Sequence, residues 1–374
     1  ALRAGISLPL PVLFPEFANP DLHAALFLAL AALQTLALVA LYARPISKTL
    51  LATGSLLLLA ISLGAPVLTS FDLYGYAQDA LLGRASYGLT HAPFAGDFAI
   101  LGVGAWFGRT APTMYGPLWF PIVQLVTGIA PTLFGKILAL RVFGAASFAA
   151  LVILLRSAGQ PPRVVAAVAL NPALSFLLIA NGHNDAIPIA ILVAAAALVR
   201  RYPVPALSLV AIAGLVKLPY AVLGLPVASA IRSSSARTAA CAGILGVTIA
   251  FSLLGSGTAY ARDLLVHSGP FDLAEIVRAC VAVLALVTIG IAIFRGRRFR
   301  SALWLMPALG AFRLPWIFPW YALFGFPYAL ARHNVMRYLL VSLPLVSAII
   351  TPELARVWTF LIAIPLATAL SVIA

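Results

Sequence analysis

The residue with the clearest potential for chemistry is Asp72. It stands in the segment Phe71-Asp72-Leu73-Tyr74-Gly75-Tyr76, where a long apolar run ends, and the 374-residue chain has only ten acidic side chains. A carboxylate at the boundary between an apolar phase and water is partly desolvated and can take a proton from a hydroxyl group. The alternative is an acid that merely ends a helix. Because acids are so scarce, we predict that Asp72 is a catalytic general base.

A second polar group lies between two apolar runs, in Asn181-Gly182-His183-Asn184-Asp185. A plain hairpin turn needs only glycine and asparagine. His183 and Asp185 add hydrogen-bonding and titratable groups that a turn does not require. We therefore expect His183, Asn184 and Asp185 to bind substrate, with a simple turn as the alternative.

Lys217 lies within an apolar run, in Gly214-Leu215-Val216-Lys217-Leu218-Pro219-Tyr220, and has no loop of its own. A compact ammonium group suits a phosphate, because the anion offsets the cost of removing the cation from water. The alternative is a lysine that extends its charged end to water from a broken helix. We predict a phosphate contact at Lys217.

Aromatic residues and prolines mark the start of two further apolar runs, in Tyr115-Gly116-Pro117-Leu118-Trp119 and Pro319-Trp320-Tyr321. Aromatic belts at a membrane surface account for such residues, but aromatic faces beside hydrogen-bonding groups also suit sugars. Further candidate substrate-binding residues are Tyr74, Tyr76, Asp79, Tyr115, Arg313, Trp320 and Tyr321. The sequence has no nucleotide-binding, Ser-His-Asp or zinc motif, so it indicates no cofactor and no metal site.

Composition indicates a membrane protein. The chain is 63% hydrophobic and 9% charged, with a mean hydropathy of +1.07, whereas soluble domains carry roughly a quarter charged residues. We predict an all-α polytopic protein of about 10–13 transmembrane helices that forms one integral-membrane domain, residues 1–374. The net charge of +14 is spread over short loops, which is typical of cytoplasmic loops beside a lipid bilayer rather than of a nucleic-acid partner. The apolar runs are 22–42, 49–69, 116–131, 134–155, 164–180, 184–199, 204–231, 238–254, 276–294, 301–312, 316–331, 337–350 and 355–373.

Two stretches interrupt the succession of apolar runs. The first, residues 72–115, is 44 residues long, and a loop of that length usually has a function or its own structure. Within it we expect helices that lie in the membrane interface at 76–89 and 98–107. The second stretch, residues 255–275, is predicted to be another loop on the same face.

The distribution of Lys and Arg predicts the orientation. Arg44, Lys48 and the basic cluster at 295–300 should be cytoplasmic, which places Asp72 on the opposite side. If every run after residue 116 crosses the membrane, the turn 181–185 becomes cytoplasmic.

In the alternative topology, the run 116–131 is re-entrant and the run 204–231 breaks near Lys217 and Pro219. His183, Asp185, Lys217 and Asp72 then share one face. We prefer this topology because it places more Lys and Arg residues on the cytoplasmic side and brings together the polar groups that are costly to bury in a membrane.

Taken in order, these motifs resemble the GT-C superfamily of integral-membrane glycosyltransferases. The resemblance covers residues 49–330 and is nearest to the bacterial polyprenol-phosphate-mannose-dependent mannosyltransferases. It depends on the segment around Asp72, the long first loop, Tyr115-Gly116-Pro117-Leu118-Trp119, Asn171-Pro172 before Gly182-His183-Asn184-Asp185, Val216-Lys217, and Pro319-Trp320-Tyr321.

The resemblance implies a hexose donor, usually mannose on a polyprenyl monophosphate, and a glycan or glycolipid acceptor. It further implies transfer with inversion on the non-cytoplasmic face of a bacterial plasma membrane. Asp72 would then act as the base, and Lys217, with His183 or Arg313, would balance the departing phosphate.

Two other functions fit parts of the sequence. A transporter or lipid flippase would have a similar number of helices, but such proteins show paired halves with matching broken helices, and the sequence has no convincing internal repeat. A transferase that modifies a protein or lipid A would keep the fold and change only the acceptor.

Overall fold

The structure, a computed structural model, describes residues 46–65, 72–87 and 115–256, together with positions 36, 94, 96–99, 101, 113, 258–260 and 262. Every regular element in this part of the chain is helical. The α-helices are α1 (Lys48–Gly64), α2 (Asp72–Leu82), α3 (Trp119–Thr127), α4 (Leu133–Ser157), α5 (Pro162–Ala169), α6 (Pro172–Ser175), α7 (Ala186–Leu198), α8 (Pro203–Val216), α9 (Gly224–Ala228) and α10 (Ser234–Ser256). Shorter 3-10 helices span Gly83–Ser86, Gly96–Phe98 and Leu218–Leu223, and a π-helix spans Phe176–Ala180.

The all-helical prediction is confirmed over the described residues, and the number of membrane crossings stays a prediction. In that part of the chain, only α4 and the segment Ser234–Gly255 of α10 are long and apolar enough to cross a bilayer. Helix α3 has 9 residues, or about 14 Å, which is half of the hydrocarbon thickness. The run 116–131 therefore does not form a full crossing, in agreement with the re-entrant alternative.

Two predicted runs are broken where proline removes a backbone donor. The run 164–180 divides at Asn171-Pro172, and Asn171 Oδ1 accepts a hydrogen bond from Leu174 N at 3.2 Å to start the next helical segment. The run 204–231 divides at Lys217, whose backbone is extended (φ −148°, ψ 108°). Pro219 disfavours a continuous helix here because it lacks an N–H group and crowds the residue before it. The break expected near Lys217 is therefore observed.

Helix α2 begins earlier than the sequence analysis predicted. An interfacial helix was expected from Tyr76, with Asp72 in the loop before it, whereas Asp72 is the first residue of an 11-residue helix. A carboxylate is favoured there by the unpaired N–H groups and the positive end of the helix dipole. Helical spacing of four and seven residues then puts Asp72, Tyr76 and Asp79 on one face.

Helix α4 runs through the centre of the described bundle and contacts α1, α2, α3, α5, α7 and the π-helix. One apolar cluster joins the second half of α4 to α5, α7 and α8. Another joins the first half of α4 to α2 and α3. Helix α4 thus holds the segments that carry the predicted site residues.

Two buried cations on α4 bind the carbonyl ends of neighbouring helical segments. Arg141 is 1% exposed, and its Nε and Nη2 atoms donate to the carbonyl of Ala180 at 3.2 and 2.8 Å, while Nη1 donates to that of Leu63 at 3.0 Å. Lys136 Nζ donates to the carbonyl of Thr127 at 3.1 Å. The last carbonyls of a helix lack intrahelical partners and carry the negative end of its dipole, so a cation satisfies both demands.

Replacement of Arg141 should destabilise the bundle. Arg141→Met leaves the carbonyls of Leu63 and Ala180 without charged donors, so we expect a loss of about 3 kcal/mol in the free energy of unfolding. Arg141→Lys should recover only part of it, because a lysine lacks the planar fork that reaches two carbonyls. Thermal unfolding in lipid nanodiscs measures both, with Arg200→Met, at an exposed position after α7, as the control. Equal unfolding temperatures for the two Met variants would contradict this role.

Candidate active site

The turn after the π-helix brings His183 onto the start of α2. Gly182 has a φ of +69°, a left-handed conformation that favours glycine. A Cβ atom at this position would overlap the side chain of Leu73. The backbone N–H of His183 donates to the carbonyl of Leu177 at 3.1 Å, which fixes the turn. Glycine therefore allows a close approach that places His183 next to Asp72.

Asp72 is buried among hydrogen-bond donors. The carboxylate is 3% exposed, and its Oδ2 atom lies 2.8 Å from His183 Nδ1. Tyr76 Oη and Tyr115 Oη lie 3.3 and 3.4 Å from the same oxygen. Burial, with the Asp72 charge as the second cause, raises the pKa of Tyr76 and of Tyr115 well above its usual value, so both phenols keep their protons. An ionised carboxylate only accepts hydrogen bonds, so His183 donates from Nδ1.

An ion pair lies beside the Asp72–His183 hydrogen bond. Lys217 Nζ is 2.7 Å from Asp185 Oδ2, and Tyr220 Oη donates to Asp185 Oδ1 at 2.6 Å. All three residues are buried. A buried ion pair persists only when further hydrogen bonds satisfy its remaining polar atoms, and Tyr220 supplies one. The lysine predicted to contact a phosphate is thus already paired with a carboxylate.

The segment that carries Tyr115 docks on the end of α8. The backbone N–H of Gly116 donates to the carbonyl of Val216 at 3.0 Å, and a Cβ atom at position 116 would overlap the backbone of α8. This approach places Lys217 Nζ 5.8 Å from the centroid of the Tyr115 ring, within cation–π range. The hydroxyl of the same ring contacts Asp72. Tyr115 therefore bridges the Asp72 and Lys217 sides of the site.

Asp79 is a second buried carboxylate on the Asp72 face of α2. Its Oδ2 atom accepts from Trp119 Nε1 at 3.2 Å and from Thr113 Oγ1 at 3.3 Å. Thr113 Oγ1 in turn accepts from the backbone N–H of Tyr115 at 3.3 Å. Burial raises the pKa of Asp79 to about 7, even though these donors favour the charged form. Asp79 thus anchors the segment that positions Tyr115.

The structure brings most of the predicted site residues into one connected group. Asn184 joins it through its backbone N–H, which donates to Tyr76 Oη at 3.3 Å. Tyr74 is buried on α2 with the charge of Arg141 as its electrostatic neighbour. The predicted residues Arg313, Trp320 and Tyr321 lie outside the described residues. The members of the group are Asp72, Tyr76, Asp79, Tyr115, His183, Asn184, Asp185 and Lys217.

Sequence reasoning overlooked several residues that hold this group in place. Arg141 and Lys136 are charged residues inside the apolar run 134–155. A charged residue inside an apolar run is also what identified Lys217, so the same criterion would have found both. Tyr220 gives no such signal, because a tyrosine near a membrane surface is common.

The arrangement combines a proton acceptor with a cation. Asp72 and His183 can take a proton from a hydroxyl group, and Lys217 can contact a developing anion. In the stretches that the structure describes, no three His, Cys, Asp or Glu residues come together as metal ligands.

The second predicted loop contacts the first one in the described residues. Its residue Tyr260 packs against Tyr87, with ring centroids 5.5 Å apart.

The raised pKa of Asp79 predicts a pH-dependent stability. Because its folded pKa lies above the usual 3.8, the stabilisation from a protonated Asp79 is complete below the unfolded pKa and is lost as the pH rises through about 7. Asp79→Asn, which stays neutral, should remove this loss, which has an upper limit of about 4 kcal/mol. Thermal unfolding of both proteins between pH 4 and 8 measures the difference. Thr113→Val, which keeps the acid, should keep the pH dependence, whereas identical profiles for Asp79→Asn and wild type would mean that Asp79 stays ionised.

Comparison with known proteins identifies the family. Residues 21–233 match the family model described as alpha-(1->6)-mannopyranosyltransferase, N-terminal domain, a span of more than half of the 374 residues. It includes Asp72, His183, Asp185 and Lys217. No curated protein and no solved structure matches the chain. The chain therefore belongs to the alpha-(1->6)-mannopyranosyltransferase family, as its resemblance to membrane mannosyltransferases predicted, and is a mannosyltransferase.

Proposed function

We propose that this mannosyltransferase uses polyprenyl-phosphate mannose as its donor and transfers the sugar, with inversion, to a hydroxyl group of a glycan or glycolipid. The reaction takes place on the non-cytoplasmic face of a bacterial plasma membrane. The observation that carries the proposal is the placement of a buried, hydrogen-bonded carboxylate, Asp72, across the Tyr115 ring from the cation of Lys217. Family membership favours transfer over transport.

In the proposed step, the acceptor oxygen forms a bond to the anomeric carbon while the bond from that carbon to the phosphate oxygen breaks. Asp72 takes the acceptor proton, and the electron pair of the broken bond leaves with the polyprenyl phosphate. A nucleophile and a leaving group on opposite sides of the sugar require a base on one side and a cation on the other. Asp72 and Lys217, which both contact Tyr115, are the candidates for these two roles.

His183 orients the base. Its Nδ1–H group is 2.8 Å from Asp72 Oδ2, so it stabilises the ionised carboxylate and fixes the plane of the group. Tyr76 and Tyr115 add hydroxyl donors to the same oxygen. A carboxylate held by several donors does not need to reorganise when the acceptor binds.

Lys217 can contact the donor phosphate without leaving Asp185. An ammonium group has three donors, so its ion pair with Asp185 does not by itself exclude a contact with a phosphate oxygen. A monophosphate leaving group carries less charge than a nucleotide diphosphate, so a single lysine goes further toward neutralising it. Arg313, singled out in the sequence, is the candidate for a second cation.

The family description also bears on the acceptor. Transfer named alpha-(1->6) forms an α bond to a 6-hydroxyl group, and inversion gives an α product from a β-linked donor. We therefore propose a β-linked polyprenyl-phosphate mannose and the 6-hydroxyl of a mannoside as the two reactants.

Asp72→Asn tests the base. The amide cannot accept the proton, so we expect the rate of transfer to fall by at least ~100-fold. The full chain in lipid nanodiscs would be incubated with radiolabelled polyprenyl-phosphate mannose and a synthetic mannoside, and the labelled product counted. Gln160→Ala, at the far end of α4 from the site, is the control and should retain the wild-type rate. Equal transfer by Asp72→Asn and wild type would refute the assignment, and no transfer by wild type would refute the donor.

Lys217 requires a paired design, because removing it alone leaves Asp185 buried and unpaired. Lys217→Met should lower the rate by ~100-fold or more, and the double variant Lys217→Met, Asp185→Asn should regain thermal stability without regaining the rate. Both are measured by the same transfer assay and by thermal unfolding. A double variant with the wild-type rate would mean that Lys217 serves only to neutralise Asp185.

A further inference from the structure

A small cavity adjoins the Asp72–His183 pair between α4 and the start of α7. Its volume is about 10 Å³, which is room for one water-sized group, and it is partly open to the outside. Its walls include the aromatic residues Tyr76 and Trp119 and the small residues Gly144 and Gly182, with His183 and Asn184 as polar lining. The cavity therefore shares His183 with the proposed reaction centre.

The side chain of Asn184 is the unusual feature of this cavity. It is 4% exposed, and neither its Oδ1 nor its Nδ2 atom has a hydrogen-bond partner in the described part of the chain. Buried side-chain amides are almost always paired, because an unpaired amide forfeits its hydrogen bonds to water. An amide kept in this state, in the wall of a cavity beside a reaction centre, indicates a ligand that pairs with it.

The chemistry of the cavity restricts that ligand to a neutral polar group. An amide offers both donors and acceptors, which a hydroxyl group matches. Asp72 is a carboxylate that reaches the cavity wall through His183 and disfavours an anion there, and the charge of the neighbouring Asp185 is offset by Lys217. The cavity has room for one water-sized group and not for a whole ring, so the ring that carries the hydroxyl must lie outside it.

We propose that Asn184 binds a hydroxyl group of a sugar other than the hydroxyl that reacts, and so helps to determine which sugar is accepted. The proposal rests on the proposed function, because the sugar must be one of the two reactants. Asn184 is then a specificity-determining residue in the wall that His183 shares. The same chemistry is present in the donor mannose and in the acceptor mannoside.

Deoxy analogues test this inference and distinguish the two sources. Wild type and Asn184→Ala, as full chains in nanodiscs, would be assayed with polyprenyl-phosphate mannose that lacks the 2-, 3- or 4-hydroxyl, and separately with methyl α-mannosides that lack the same groups. For one analogue in one arm, wild type should lose ~3- to 10-fold in kcat/KM, the effect of one neutral hydrogen bond. With the complete substrate, Asn184→Ala should have a kcat/KM lower than that of wild type by the same factor. With that analogue, the kcat/KM of Asn184→Ala should fall no further.

A second variant keeps the test valid if alanine disturbs the turn. Asn184→Leu has a similar shape and no polar atoms, so it should leave the thermal stability of the substrate-free protein unchanged or raise it while it lowers kcat/KM. If the Asn184 amide served only to stabilise the fold, Asn184→Leu would instead lower the thermal stability of the protein. Gln160→Ala, which also truncates an amide with an unpaired oxygen, should show the wild-type response to every analogue.

The outcomes separate the inference from the proposed function. If wild type transfers mannose but every analogue slows wild type and Asn184→Ala equally in both arms, the inference is wrong and the proposed function stands. If wild type transfers nothing from polyprenyl-phosphate mannose, the proposed function itself fails.

Discussion

The guanidinium group of Arg141 is the interaction on which the described structure depends. One side chain binds the carbonyl end of α1, nine residues before Asp72, and the carbonyl end of the π-helix, three residues before His183. Unwinding of the last turn of either segment would move Asp72 relative to His183. The hydrogen bond between these residues, 2.8 Å long, is therefore supported from the centre of the bundle.

Apolar surroundings explain why polar groups of this protein occur in pairs. Moving a charge out of water is costly unless a partner and further hydrogen bonds compensate for it. Asp72 is paired with His183, Asp185 with Lys217, and the cations of α4 with helix ends. Except for Lys136 and Thr127, which are nine residues apart, each pair joins segments that are distant in the sequence. These polar contacts fix the mutual position of helices whose apolar surfaces alone would allow sliding.

Most residues of the site could be predicted from the sequence, but the partner that each residue contacts could not. Asp72, His183, Asp185 and Lys217 are conspicuous as polar residues among apolar ones, and their convergence follows from the cost of burying each alone. The sequence did not predict that Lys217 pairs with Asp185, which is 32 residues away. Their contact depends on a helix break and on a turn, and no local sequence pattern predicts the geometry of either. Arg141 binds backbone carbonyls, which every residue has, so its partners leave no trace in the sequence. The start of α2 at Asp72 was missed because the acid was interpreted as the end of the preceding apolar run, although a carboxylate favours the first turn of a helix.

The spacing of the Arg141 contacts also constrains how the protein is made. Leu63 precedes Arg141 by 78 residues and Ala180 follows it by 39, so one acceptor is synthesised before α4 and the other after it. An arginine at the centre of an inserted helix is unfavourable by roughly 2.5–3.5 kcal/mol until it is paired. Arg141 can therefore hold both of its carbonyl partners only after the π-helix has been synthesised, and the Asp72–His183 pair cannot be supported from both ends before then.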